Sequence, residues 1–83
     1  MSGDIKNILI LADRLGAHLG ITHWAVSMRV SSKGDFIHRL IEGCDLRTKT
    51  AARVMREFDD IWPDDLEWPS NIPRPEQLKE AAQ

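Results

Sequence analysis

A single cysteine, Cys44, stands in a chain of 83 residues, so an intramolecular disulfide is excluded and a reducing compartment is expected. Long apolar runs are missing too. The stretch Ile8 to Leu11 is far shorter than the roughly 20 residues that cross a bilayer, and no basic segment, apolar segment and small-residue cleavage site follow one another. A soluble, cytoplasmic protein with no membrane partner is therefore expected. His18, His23, His38 and Cys44 lack zinc-finger spacing, and no paired-cysteine motif is present. No metal, cofactor or small-molecule ligand is implied. A Cys–His nucleophile pair has only the presence of both residue types in its favour, and so small a domain leaves little room for a substrate cleft, so the chain is expected not to be an enzyme.

Tyrosine is absent, whereas tryptophan occurs three times, at 24, 62 and 68. Such residues serve as core and interface anchors or as stacking platforms for single strands, and the first role is the commoner. The net charge is −2, but its distribution is uneven. Residues 1–56 hold nine Lys/Arg against five Asp/Glu, a balance of +4, and residues 57–83 hold two against eight, a balance of −6. The first part suits phosphate contacts; the second faces away or meets another partner, unless both are ordinary solvated surface.

Apolar residues at Ile5, Ile8, Leu9, Ala12, Leu15 and Leu19 predict an amphipathic first helix, with Asp4 as its N-cap and Gly20 as its stop. Thr22 caps a second helix to about Arg29 that buries Val26 and either Trp24 or Ala25. Val30 to Gly34 reads as a turn. A third helix places Phe36, Ile37, Leu40 and Ile41 inward and ends at Gly43. Thr48 caps a fourth helix with Ala51, Val54, Met55, Phe58, Ile61 and Trp62 inward, stopped by Pro63. No strand and no internal repeat are expected. Prolines at 63, 69, 73 and 75 make the remainder an extended arm, with a frayed helix or disorder from Glu76. The fold class is thus all-α: residues 1–62 form a four-helix domain, and 63–83 an acidic, Pro-rich arm that packs or dimerises. Trp62, Leu66, Trp68 and Ile72 are the candidate dimer or partner interface.

Two short helices joined by a tight turn are the arrangement with which a helix-turn-helix reads DNA. The second helix must be held by apolar contacts, here Val26, Val30, Ile37 and Leu40, so that its polar face can enter a groove about 12 Å wide. Lys33, Asp35, His38 and Arg39 are left on or near that face.

The segment Thr22–Gly43, THWAVSMRVSSKGDFIHRLIEG, resembles without a gap the helix-turn-helix of the lambda-repressor-like (Cro/C1, XRE-type) regulators. Thr22 matches the cap of that family's second helix, Val26, Val30, Ile37 and Leu40 its core positions, and Gly43 its closing glycine. Cys44–Thr48 and the helix to Phe58 resemble its loop and fourth helix, so that residues 5–62 are covered. The pattern also resembles short regulators of mobile elements and prophages. Two departures stand out: Ser31 replaces the usual turn glycine, and Gly34 leaves a base-facing position without a side chain.

The resemblance implies base-facing roles for Lys33, Gly34, Asp35, His38 and Arg39. Arg39 suits a bidentate contact to guanine, and Asp35 either accepts from a cytosine amino group or caps the helix. Phosphate contacts fall to Thr22, His23 and Ser32 on one side and to Arg47, Thr48 and Lys49 on the other. Arg29 either reaches the backbone or pairs with an acidic neighbour. The implied function is a sequence-specific double-stranded DNA-binding transcription regulator. A repressor is expected, because so small a chain has no room for an effector domain. It would act as a homodimer on a palindromic operator with half-sites about 34–36 Å apart. The competing reading is a protein-binding adaptor, antiactivator or antitoxin that uses the acidic arm on a basic partner.

Overall fold

The computed structural model describes residues 3–74 and, among them, four helices and no strand: α1 (Gly3–Leu19), α2 (His23–Ser31), α3 (Phe36–Ile41) and α4 (Thr48–Ile61). The helix or disorder expected from Glu76 lies outside the described residues. None of the described helices is long and apolar enough to cross a membrane.

In α1, Ile8, Leu11, Ala12 and Leu15 are fully buried, a stripe at spacings of three and four that faces the other helices. Leu19 is exposed. The helix already includes Gly3, so Asp4 lies in the first turn rather than at the cap, where its carboxylate meets the positive end of the helix dipole. At the other end Gly20 has φ of +67°, and the Ile21 N–H returns to the Gly16 carbonyl at 2.9 Å. This is the left-handed closure expected of a C′ glycine.

Thr22 caps α2, its hydroxyl accepting the Ala25 N–H at 3.2 Å. The helix runs to Ser31, two residues past the expected end, so Val30 and Ser31 are helical rather than part of the turn. Buried Val30 gains core contact by staying on the helix. The left-handed residue that closes α2 is Ser32, with φ of 66°, and not Ser31. A side chain in that region costs about 1–2 kcal/mol relative to right-handed backbone, a cost glycine avoids while losing more freedom on folding. Ser32→Gly is therefore expected to stabilise the fold by about 0.5–1 kcal/mol net, seen as a higher urea midpoint at unchanged slope.

α3 has only six residues and turns Ile37 and Leu40 inward. Ile41, expected on the inner face, is 53 % exposed: it sits one residue, about 100° of rotation, past Leu40. Glu42 and Gly43 close α3 in a Schellman arrangement: Cys44 N–H to Arg39 O at 3.0 Å, Gly43 N–H to Leu40 O at 3.1 Å, Gly43 φ +105°. α4 opens one residue earlier than expected. Arg47, extended at φ −71° and ψ 147°, is the N-cap, its carbonyl accepting the Ala51 N–H at 2.8 Å, and Thr48 is the first helical residue. Ala51, Val54 and Phe58 form the buried stripe of α4. α1 packs on the other three helices and α2 also on α4, whereas α3 and α4 stand apart.

Beyond α4 the chain contains a repeat that composition did not reveal. Trp62-Pro-Asp-Asp-Leu66 and Trp68-Pro-Ser-Asn-Ile72 fold alike. In each, the aliphatic N–H bonds back to the proline carbonyl at 3.2 Å, and the indole N–H donates to the aliphatic residue's carbonyl, at 2.8 Å for Trp62 and 2.9 Å for Trp68. The two indoles meet edge to face at 4.9 Å, and Trp62 meets Phe58 edge to face at 6.4 Å. Arg74 covers the Trp68 ring and bonds Asp59 of α4, and His18 of α1 lies 3.1 Å from Asp65. Trp62 and Ile72 are buried in the chain's own core, with Leu66 and Trp68 half-buried against it. Of the four residues expected at a dimer or partner interface, Trp62 and Ile72 are thus engaged within one chain, while Leu66 and Trp68 keep part of their surface exposed.

Candidate nucleic-acid interface

The side chains singled out for DNA contact surround α3, whose placement depends on α2. Residues 32–35 connect the two helices, with the Phe36 N–H returning to the Lys33 carbonyl at 3.2 Å. The Ser31 hydroxyl accepts the Lys33 N–H at 3.2 Å, tying the turn to the end of α2. Val26, Val30, Ile37 and Leu40 are all buried and clamp α3 to the core.

A polar link completes the clamp. Ser27 is fully buried inside α2, and its hydroxyl donates to the His23 carbonyl at 2.7 Å while accepting the Ile37 N–H at 3.0 Å. The first turn of any helix leaves N–H groups unpaired, and α3 receives no cap from its own N-cap residue, because Asp35 makes no side-chain cap bond. Ser27 supplies one from the neighbouring helix. Leaving a buried N–H unpaired costs about 1–3 kcal/mol, so Ser27→Ala is expected to cost about 1–2 kcal/mol, read from chemical denaturation. Faster amide exchange at Ile37 should accompany it.

Lys33, His38 and Arg39 are exposed, and Asp35 is half-buried. Asp35 neither caps α3 nor stands free; its carboxylate lies 3.4 Å from Arg39 Nε, and His38 Nε2 lies 3.3 Å from Glu42. Exposed pairs of this i,i+4 kind hold about 0.3–0.5 kcal/mol, less than a good bidentate base contact at about 1–3 kcal/mol. The Arg39–Asp35 pair therefore costs little to break, which leaves the guanidinium available to a stronger acceptor.

Gly34 does not face outward. It is buried, and a Cβ built there would stand 2.1–2.5 Å from three atoms of the Trp24 indole. The missing side chain makes room for that ring. Trp24, expected to be a core candidate, is instead 62 % exposed and lies across the backbone at the entrance to α3. Gly34 is accordingly a seat for Trp24 rather than a base-facing position.

Among the proposed phosphate contacts, Thr22 uses its oxygen in the cap, and His23 Nε2 lies 2.8 Å from the Asp13 carboxylate, which sets a negative charge where a phosphate was expected. Ser32 is exposed as the left-handed closing residue of α2. On the other side, a groove of about 350 Å³ opens where α3 and α4 stand apart. Lys33, Arg39, Arg47 and Arg53 line it with Asp35 and Asp45, over a floor that includes Phe36, Leu40 and Leu46. Thr48 and Lys49 are exposed but do not line it.

Sequence reasoning missed Ser27, Trp24 as a surface residue, and Arg53. A serine inside the apolar spacing Val26–Val30 was a usable sign of a buried bond, and Thr50 and Arg53 at i,i+3 share the helix face toward the groove. Among the described residues, no group of three or more His, Cys, Asp or Glu could hold a metal. Comparison with protein-family models, curated proteins and solved structures finds no match for the chain.

Proposed function

We propose that the protein is a sequence-specific double-stranded DNA-binding regulator in which α2 and α3 form a helix-turn-helix of the lambda-repressor-like kind. The observation that carries the reading is the pairing of a rigid mount with an exposed polar face. Four buried aliphatic residues and the Ser27 bond hold α3, while Lys33, His38 and Arg39 remain exposed, and Lys33 and Arg39 share a groove with Arg47. Repression is the simplest mode for such a domain, through occupation of a promoter by a cytoplasmic homodimer on a palindromic site. Of Trp62, Leu66, Trp68 and Ile72, only Leu66 and Trp68 keep side-chain surface that a dimer contact could use.

Affinity for a random-sequence duplex should fall steeply between about 50 and 200 mM salt, since each neutralised phosphate adds about 0.9 to the log–log slope. Salt-independent binding would contradict the reading. A protein-binding adaptor is the second reading, favoured by exposed Asp64, Asp65 and Glu67 on the segment after α4. Capture of a basic protein that survives Arg39→Ala, with no duplex binding, would select it.

A further inference from the structure

Resting on the DNA reading, we propose that the groove between α3 and α4 seats the phosphate backbone of one strand, gripped by Arg47 and Arg53 together with the Thr50 hydroxyl. Of the three residues the family resemblance suggested for this task, Arg47 lines the groove, whereas Thr48 and Lys49 lie beside it; Thr50 and Arg53 are the additions.

An α-helix in the major groove has a sugar–phosphate strand on each flank, so the two flanks of α3 must differ in function from its tip. One flank is the start of α2, where Asp13 stands against His23. The other is the groove, where four cations meet two carboxylates. One of those carboxylates, Asp35, is already beside Arg39. Among the described residues, neither Arg47 nor Arg53 enters an ion pair.

Arg47 reaches the groove from the loop and Arg53 from the second turn of α4, so one phosphate segment would be approached from two independently anchored elements. Thr50, one turn before Arg53 on the same face, adds a hydroxyl donor. Phe36, Leu40 and Leu46 offer no side-chain donor and the two carboxylates only accept, which leaves the cations, with the Ser31 and Thr50 hydroxyls, as the main side-chain donors toward a phosphate. The arrangement offers charge without base-edge geometry. Its expected effect is uniform affinity, not discrimination.

Cys44 also lines the groove and is exposed, and it is the chain's only cysteine, so its alkylation rate reports on occupancy without any mutation. The test combines that rate with duplex binding across salt for the full chain. Saturating random-sequence duplex should slow Cys44 alkylation. Arg53→Ala should weaken binding to all sequences alike and lower the salt slope by about 0.9, while Lys49→Ala leaves the slope nearly unchanged and Arg53→Lys restores most of it. Duplex binding with unchanged Cys44 alkylation, or with a slope sensitive to Lys49 and not to Arg53, overturns the groove assignment and leaves the DNA reading intact. Absence of any duplex binding at low salt removes both together.

Discussion

Phe58→Ala is expected to remove about 3–5 kcal/mol of stability, the usual range for truncating a buried aromatic. Phe58 is fully buried on α4, and its ring also carries the edge-to-face contact with Trp62, which in turn supports Trp68. The change therefore opens a cavity and loosens the attachment of the Trp-Pro repeat. Small domains have total stabilities of about 5–15 kcal/mol, so the variant should be partly unfolded near body temperature. A urea titration followed by tryptophan fluorescence checks this directly, since Trp62 and Trp68 are nearby reporters. A loss under about 1 kcal/mol would mean that the segment and α4 do not share one core.

Arg39→Ala is the second large effect, on binding rather than folding. Arg39 is exposed on α3, paired only with Asp35 at 3.4 Å, so its removal should leave the denaturation midpoint almost unchanged. Affinity for the preferred duplex should fall by about 5- to 150-fold, the equivalent of about 1–3 kcal/mol for one bidentate guanine contact. Preference at one base pair of each half-site should relax with it. Arg53→Ala differs in kind: it lowers affinity for every sequence. Competition titrations with preferred and random duplexes separate the two, and loss of both affinities in equal proportion would make Arg39 a phosphate contact instead.

The features legible in the sequence were those set by helical periodicity and by local caps. Val26, Val30, Ile37 and Leu40 could be placed inward because spacings of three and four fix one face. Thr22 and Gly20 could be placed at helix ends because their chemistry is local. The misplaced residues depend on another element. Ile41 looked apolar enough to bury, but six residues of α3 leave its side of the helix uncovered. Gly34 looked like an empty base-facing position until the Trp24 ring occupied the space above it. Ser27 read as an ordinary polar residue, since nothing in α2 announces that its hydroxyl pairs with the N–H of Ile37, ten residues away. The arm was legible as non-helical from its prolines, yet not as two Trp-Pro-x-x-aliphatic turns folded back on α4. Indole-to-carbonyl bonds have no signature in composition.

These corrections bear unequally on the proposed site. They move Gly34 and Trp24, set the Asp13 carboxylate against His23, and place Arg53 rather than Lys49 in the groove beside α3. They leave Arg39 exposed on a rigidly mounted helix. They also place Trp62 and Ile72 in the chain's own core while Leu66 and Trp68 keep part of their surface, so two-fold binding is to be tested on DNA rather than inferred from the apolar arm.

Selection of bound sequences from a random duplex pool tests the central claim most directly. The proposed function predicts an enriched motif with two-fold symmetry and half-sites about one helical turn apart, from which Arg39→Ala loses information at a single position of each half. No enrichment over the input pool, even at low salt, would contradict it.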